Sequence, residues 1–361
     1  MENRKLDHTV LVSFVHGYEN LNISLPEEER PALWRLSGNE TEIYKYPFPR
    51  NPGDFRDVAS LIAGKGPLEN ADNFKKLPRF GFTGLSTRGD YIYAGAWNAV
   101  YEIHKKGYRL ERILTHNLMN DVHCIDAVED GLISVLTGKD AVVFTDYDGN
   151  LIDFFTVKND LTVIKETTIT EVDWRFISKQ FVGSTGYWHF NYVQKIEDEI
   201  WLTSRNANCF VVVDLKKRKA RLRLMNFFTP VLLHDGVRFQ DCFYFTSIDG
   251  KIIIAAEAEK ASWNPREHVD NIHLFNRDLV TKLIRLEETE LGREPNWCRG
   301  IACKDDRMYV TIDGRYDTDL SFGLLEMDET GKIYANHRLK WSDVGDEAEI
   351  RFVTGFSILP L

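Results

Sequence analysis

YWHFNYVQKIEDEIWLTSRNANCFVVVDL, residues 187–215, is the stretch on which the reading of this chain turns. It opens on two polar side chains, His189 and Asn191, and runs into an alternating segment that turns at Glu197-Asp198. Ile200-Trp201-Leu202-Thr203-Ser204 follows, then a second turn over Arg205–Asn208 and the β-branched run Val211-Val212-Val213. Alternation with period two, β-branched and aromatic residues, and turn residues at short intervals together predict a meander of short antiparallel strands.

The same phrase recurs on both sides. Phe82-Thr83-Gly84-Leu85-Ser86 leads through Arg88-Gly89-Asp90 into Tyr91–Gly95 and Ala99–Ile103. Val122-His123-Cys124-Ile125 leads through Glu129-Asp130-Gly131 into Leu132–Thr137 and Ala141–Phe144. Two later copies open at Leu233-His234-Asp235-Gly236-Val237 and at Cys298-Arg299-Gly300-Ile301-Ala302. Phe352–Ile358 resembles Phe82–Ser86 and reads as a first strand without followers. The anchors Gly84, His123, His189, His234, Arg299 and Gly355 are 39, 66, 45, 65 and 56 residues apart. The two short gaps match one four-stranded propeller blade of roughly 40 to 45 residues. The longer ones require insertions, visible near residues 157–187, 257–271 and 314–321.

Five internal copies, with the orphan strand paired to the N-terminal strand His8–Phe14, predict an all-β, six-bladed β-propeller over residues 1–361 as a single domain. Closure of the ring removes the exposed sheet edges that an open array would leave. A seven-bladed propeller and a large β-sandwich are the alternatives. Ala32–Leu36 and Glu42–Tyr46 are expected as further strands, and a helical turn is expected at Asp57–Ile62.

Composition narrows the partners. The chain has a formal charge of −10 and is 43% hydrophobic. That balance speaks against a phosphate-backbone partner, because nucleic-acid binding rests on Lys and Arg neutralising phosphates. The one basic run, Lys216–Arg223, falls where a turn and an outer strand are expected, and edge strands commonly carry such charges. The five cysteines form no CxxC pair and sit largely in apolar runs. With no apolar stretch near the roughly 18 residues that span a bilayer and no signal-like N-terminus, no membrane partner and a cytoplasmic location are expected. Oligomeric state is left open.

The repeated phrases resemble those of the broad six-bladed propeller group that includes the SMP-30/gluconolactonase-like, NHL-repeat and strictosidine-synthase-like proteins. They are also similar to uncharacterised bacterial propellers whose blades open with a histidine, as at Asn120-Asp121-Val122-His123 and His189-Phe190-Asn191. The gluconolactonase-like resemblance would imply a central divalent metal held by a Glu, two Asn and an Asp. Only Asn191 and Asp235 fall at comparable positions, so that ligand set does not carry over.

In a propeller the first strand of each blade lines the channel, so polar residues at blade openings converge at one mouth, a wet concave place suited to a small molecule. Here these are Asp121, His123, His189, Asn191, His234, Asp235 and Arg299, with Trp188 and Trp297 beside them. One reading makes His123, His189 and His234 ligands of a divalent metal ion. A second is metal-free: histidine as general base, Arg299 clamping an anionic group of a small-molecule substrate, and Asp235 or Asp121 orienting an imidazole. Asp121, Asn191, Trp188 and Trp297 would contact that substrate. A third gives the histidines a packing role only. His104, His116, His268, His273 and His337 are expected at the surface. No GxSxG, P-loop, GxGxxG or HExxH occurs. The function expected is hydrolase, lyase or isomerase chemistry on a small polar or anionic metabolite; the alternative is a non-catalytic scaffold that binds a ligand or protein through its inserts, which carry Trp174, Phe176, Phe181 and Trp263.

Overall fold

The computed structural model describes residues 5–17, 31–47, 58–64, 79–165, 173–176, 188–224, 232–248, 250–257, 279–286, 298–312, 314–315, 322–339 and 352–361. Each repeated phrase is an antiparallel sheet. Blade 1 comprises Gly84–Arg88, Tyr91–Ala96, Ala99–His104 and Arg109–Thr115. Blade 2 comprises Val122–Val128, Gly131–Leu136, Ala141–Thr145 and Leu151–Val157. Blade 3 is the 187–215 phrase extended by one strand: Phe190–Ile196, Glu199–Ser204, Cys209–Asp214 and Lys219–Leu224. Blade 4 holds Leu233–Phe239, Cys242–Ser247, Lys251–Glu257 and Leu279–Arg285, and blade 5 holds Ile301–Lys304, Arg307–Ile312, Phe322–Met327 and Ile333–Leu339.

The sixth sheet joins the two ends of the chain. Phe352–Pro360 is its inner strand and pairs with Val10–Gly17, which pairs in turn with Ala32–Ser37 and then Glu40–Lys45. The N-terminal strand begins two residues later than the apolar run His8–Phe14 suggests and continues to Gly17. The expected helical turn is a short 3-10 turn, Ala59–Leu61. It leads into Ile62–Gly64, which adds a parallel edge to blade 1.

Hydrogen bonds between neighbouring blades close the circle at every junction. Ser357 Oγ accepts Leu85 N–H between the closing blade and blade 1, and Ser86 Oγ accepts Ala127 N–H between blades 1 and 2. Asp126 takes Lys195 N–H at 2.7 Å between blades 2 and 3. Threonines bond to carbonyls at the opening of the next blade throughout: Thr83 to Val122, Thr137 to Phe190, Thr203 to His234, Thr246 to Arg299 and Thr311 to Gly355. A six-bladed β-propeller results, and the seven-bladed alternative falls away because the inner strand at 352–360 completes the sixth sheet.

Apolar faces pack between blades. Trp201 and Phe210 of blade 3 meet Phe243 of blade 4 at ring separations of 4.9 and 5.0 Å. The basic run 216–223 forms the turn and outer strand of blade 3. Its charges pair with nearby carboxylates: Lys216 with Asp198, Lys217 with Asp214, Arg218 with Asp153 of blade 2 and Arg221 with Glu199. Among the described residues no helix is long and apolar enough to cross a membrane.

Candidate functional site

The inner strands of blades 2, 3 and 4 share a defect at the same level. Strand pairing slips between Val122 and Cys124, between Phe190 and Tyr192, and between Leu233 and Gly236. Such a slip leaves one residue outside the ladder and re-aims its side chain. His123, Asn191 and His234 occupy these places. Counting along the same ladders, Arg299 of blade 5 and Thr83 of blade 1 stand at the corresponding level, one residue before Gly300 and Gly84. The result is a belt of Thr83, His123, Asn191, His234 and Arg299, all buried.

His189 does not belong to that belt. It lies two residues before Asn191, the level that Asp121 takes in blade 2, and the two share a left-handed backbone, φ 51° at His189 and 52° at Asp121. Its alignment with His123 in sequence is therefore replaced by an offset of two residues. The imidazoles meet nonetheless. The His123 ring lies 6.2 Å from that of His189, edge to face, and 5.5 Å from that of His234. His123 and His234 are each only 3% exposed, whereas His189 is half-buried at the mouth. Asp121 Oδ1 sits 3.5 Å from His123 Nδ1.

Asn191 carries the clearest chemical signal. Its amide nitrogen donates to Leu233 O at 3.2 Å, but its oxygen, fully buried, accepts no hydrogen bond among the described residues. A buried carbonyl left without a donor costs about 1–3 kcal/mol, so a bound group or water is expected against it.

The Asp235 carboxyl is engaged by main-chain groups. It accepts Gly236 N–H at 2.9 Å and the main-chain N–H of Ile301, strapping blade 4 to blade 5. Burial pushes its pKa well above the ordinary range. Asp121, rather than Asp235, is thus the acid next to an imidazole. Behind the wall, burial also raises the Cys124 thiol and the Tyr192 phenol.

Trp188 is fully buried, stacked on Phe190, with its ring N–H donated to Val157 O at 2.9 Å. It packs rather than faces the channel. Trp297, His268, His273, Phe181, Trp263 and the insert 258–271 lie outside the described residues. His116 and His337 are buried, contrary to the surface expectation. His337 meets Thr41 Oγ1 at 2.9 Å across the junction with the closing blade, and burial lowers its pKa.

Among the described residues no group of three or more His, Cys, Asp or Glu side chains is placed to hold a metal ion. Two contributors escaped sequence reasoning. Asp140 holds the corner at Trp188-His189, and Arg175, wholly buried, pairs with Asp173 through bonds of 2.8 and 2.6 Å. The described residues 173–176 are tied to the ring through Arg175, which donates to Thr115 Oγ1, and through Trp174, whose O accepts the Asn120 amide and whose N–H reaches Asn117 O.

No protein-family profile and no curated protein matches the chain. Solved structures similar to it include a putative 6-phosphogluconolactonase from Bacteroides uniformis, 11% identical over 90% of this chain and 81% of that one, TM-score 0.43. The β-propeller domain of Myceliophteria thermophila Cps50 (Swd1) is 9% identical over 86% and 83%, TM-score 0.42. The computationally designed Ika4 protein is 10% identical over 54% and 95%, TM-score 0.30. None of these overlays bears on function.

Proposed function

We propose that the chain is an enzyme acting on a small polar or anionic molecule at the channel mouth, by acid–base chemistry of its histidines. The observation that carries this reading is the buried Asn191 oxygen, without a donor among the described residues, on a belt that also holds His123, His234 and Arg299. In this reading His189, the accessible imidazole, exchanges a proton with the substrate, and His123 with Asp121 behind it orients and receives charge. Arg299 meets an anionic group, and Asn191 accepts from a hydroxyl or N–H. Histidine acid–base catalysis contributes typically 10²–10⁴-fold to rate.

The test is a stability screen with small polyhydroxy, carboxylate and phosphate compounds on the wild type, followed by turnover of whichever compound raises the melting temperature. His189→Ala should unfold within about 1 kcal/mol of the wild type, as a half-buried position away from the core does. It should lose turnover by about 100-fold or more. A fully active His189→Ala protein would sink the proposal. If a divalent ion raises the melting temperature and a chelator reverses it, the metal reading of the same histidines replaces this one.

A further inference from the structure

We infer that Asp140 is the positioning residue for His189, a role that rests on the reading of His189 as the working imidazole. Asp140 ends the turn between the second and third strands of blade 2 and is buried. Its two carboxylate oxygens take two consecutive main-chain donors of the next blade, Trp188 N–H on Oδ2 and His189 N–H on Oδ1, each at 2.8 Å. Successive N–H groups around a left-handed residue form a concave site for an anion. Here the anion is supplied by the protein itself.

The clamp explains why a histidine tolerates a backbone that side chains rarely adopt. Left-handed geometry at a residue other than glycine costs about 1–2 kcal/mol and survives only where the surroundings over-determine it. The rest of the corner is equally committed. Trp188 O accepts Ser204 Oγ–H at 2.7 Å and Asn206 N–H at 3.4 Å, and His189 O accepts Arg205 N–H at 3.3 Å. With N–H and C=O groups on both sides fixed, the direction in which the His189 side chain leaves the main chain is fixed too. That direction sets its imidazole edge-on to His123. Blade 1 offers an internal control. The residue before its third strand is Asn98, an amide, and the corner residue of the following blade is Asp121, itself acidic. A carboxylate appears in the turn where the facing corner is histidine, and not where the corner is a second carboxylate.

Asp140→Ala and Asp140→Asn are compared with the wild type by NMR of protein labelled at histidine ring carbons and by the rate of diethyl pyrocarbonate modification of each histidine. Asp140→Ala is expected to move the His189 ring resonance and change its modification rate several-fold. Those of His337 and His104, remote from the corner, should stay in place. Asp140→Asn keeps one acceptor and should fall between the two. Unchanged His189 signals in a folded Asp140→Ala protein overturn the inference; should that variant not fold, unchanged signals in Asp140→Asn do so. If Asp140→Ala displaces His189 while His189→Ala keeps full turnover, positioning stands and the catalytic role of His189 falls, so the two failures are told apart.

Discussion

The ring has two unlike halves. From blade 2 to blade 4 the inner strands slip register and bring imidazoles and an amide to the channel. From blade 5 through the closing blade to blade 1 the neighbours press together on glycine. A Cβ at Gly84 would stand 2.9 Å from the Cys124 Cα, and one at Gly355 would stand 2.4 Å from the Thr311 side chain. Both halves bury polar groups, and the closing inner strand slips register as well; the second half differs in the glycines on which its neighbours close. The difference teaches that the imidazole-bearing blades and the glycine-packed seams are largely separate parts of the ring.

The largest effect should come from filling the tight half. Gly84→Val drives a branched side chain into backbone of blade 2. Overpacking of that kind costs about 3 kcal/mol, to be read from urea unfolding midpoints. A Gly84→Val protein as stable as the wild type would dissolve the distinction between the halves. Next come the threonine bonds. Thr311 Oγ1 donates to Gly355 O and accepts Gly300 N–H, both at 2.9 Å, whereas Thr203 makes one longer bond, 3.3 Å, to His234 O. Thr311→Val should cost about 2 kcal/mol and Thr203→Val about 0.5 kcal/mol. Equal losses would show the two seams to be alike.

The smallest effect is a slope. Asp235 keeps its proton in the fold to a pH well above 3.8, whereas the unfolded chain releases it near that value. The native state then binds the extra proton, so the stability this group contributes is complete below the unfolded pKa and is lost as pH rises above it. Asp235→Asn keeps an acceptor for Gly236 and Ile301 without the ionisation. Its unfolding midpoint, followed from pH 5 upward, should decline less than that of the wild type. Parallel curves would show that Asp235 ionises freely.

Much of the ring was legible in the sequence because blades repeat a period-two pattern and glycine, acid and amide turns, and because Phe352–Ile358 lacked followers. The convergence of His123, His189 and His234 was legible as well, through the common position of blade openings. The register was not. A bulge is a matter of which residue leaves the ladder, and nothing in His-Phe-Asn announces that Asn191, not His189, matches His123. Asp140 and Arg175 were also hidden, since a turn aspartate and a loop arginine look like solvated charges until the next blade or the insert covers them. The burial of His116 and His337 has the same origin: each lies where two elements meet that are far apart in the chain.

The pairing of Val10 with Pro360 joins residues 350 positions apart. While the 352–360 segment is unplaced, the strand Val10–Gly17 has an open edge, and five finished blades still make an arc rather than a ring. Contacts this distant in sequence form slowly, because loop closure must precede any reward. Any shortened product lacking 352–360 would present an apolar strand of Val10, Leu11, Val12, Phe14 and Val15 as a template for a second chain. In the finished ring the last strand covers that edge.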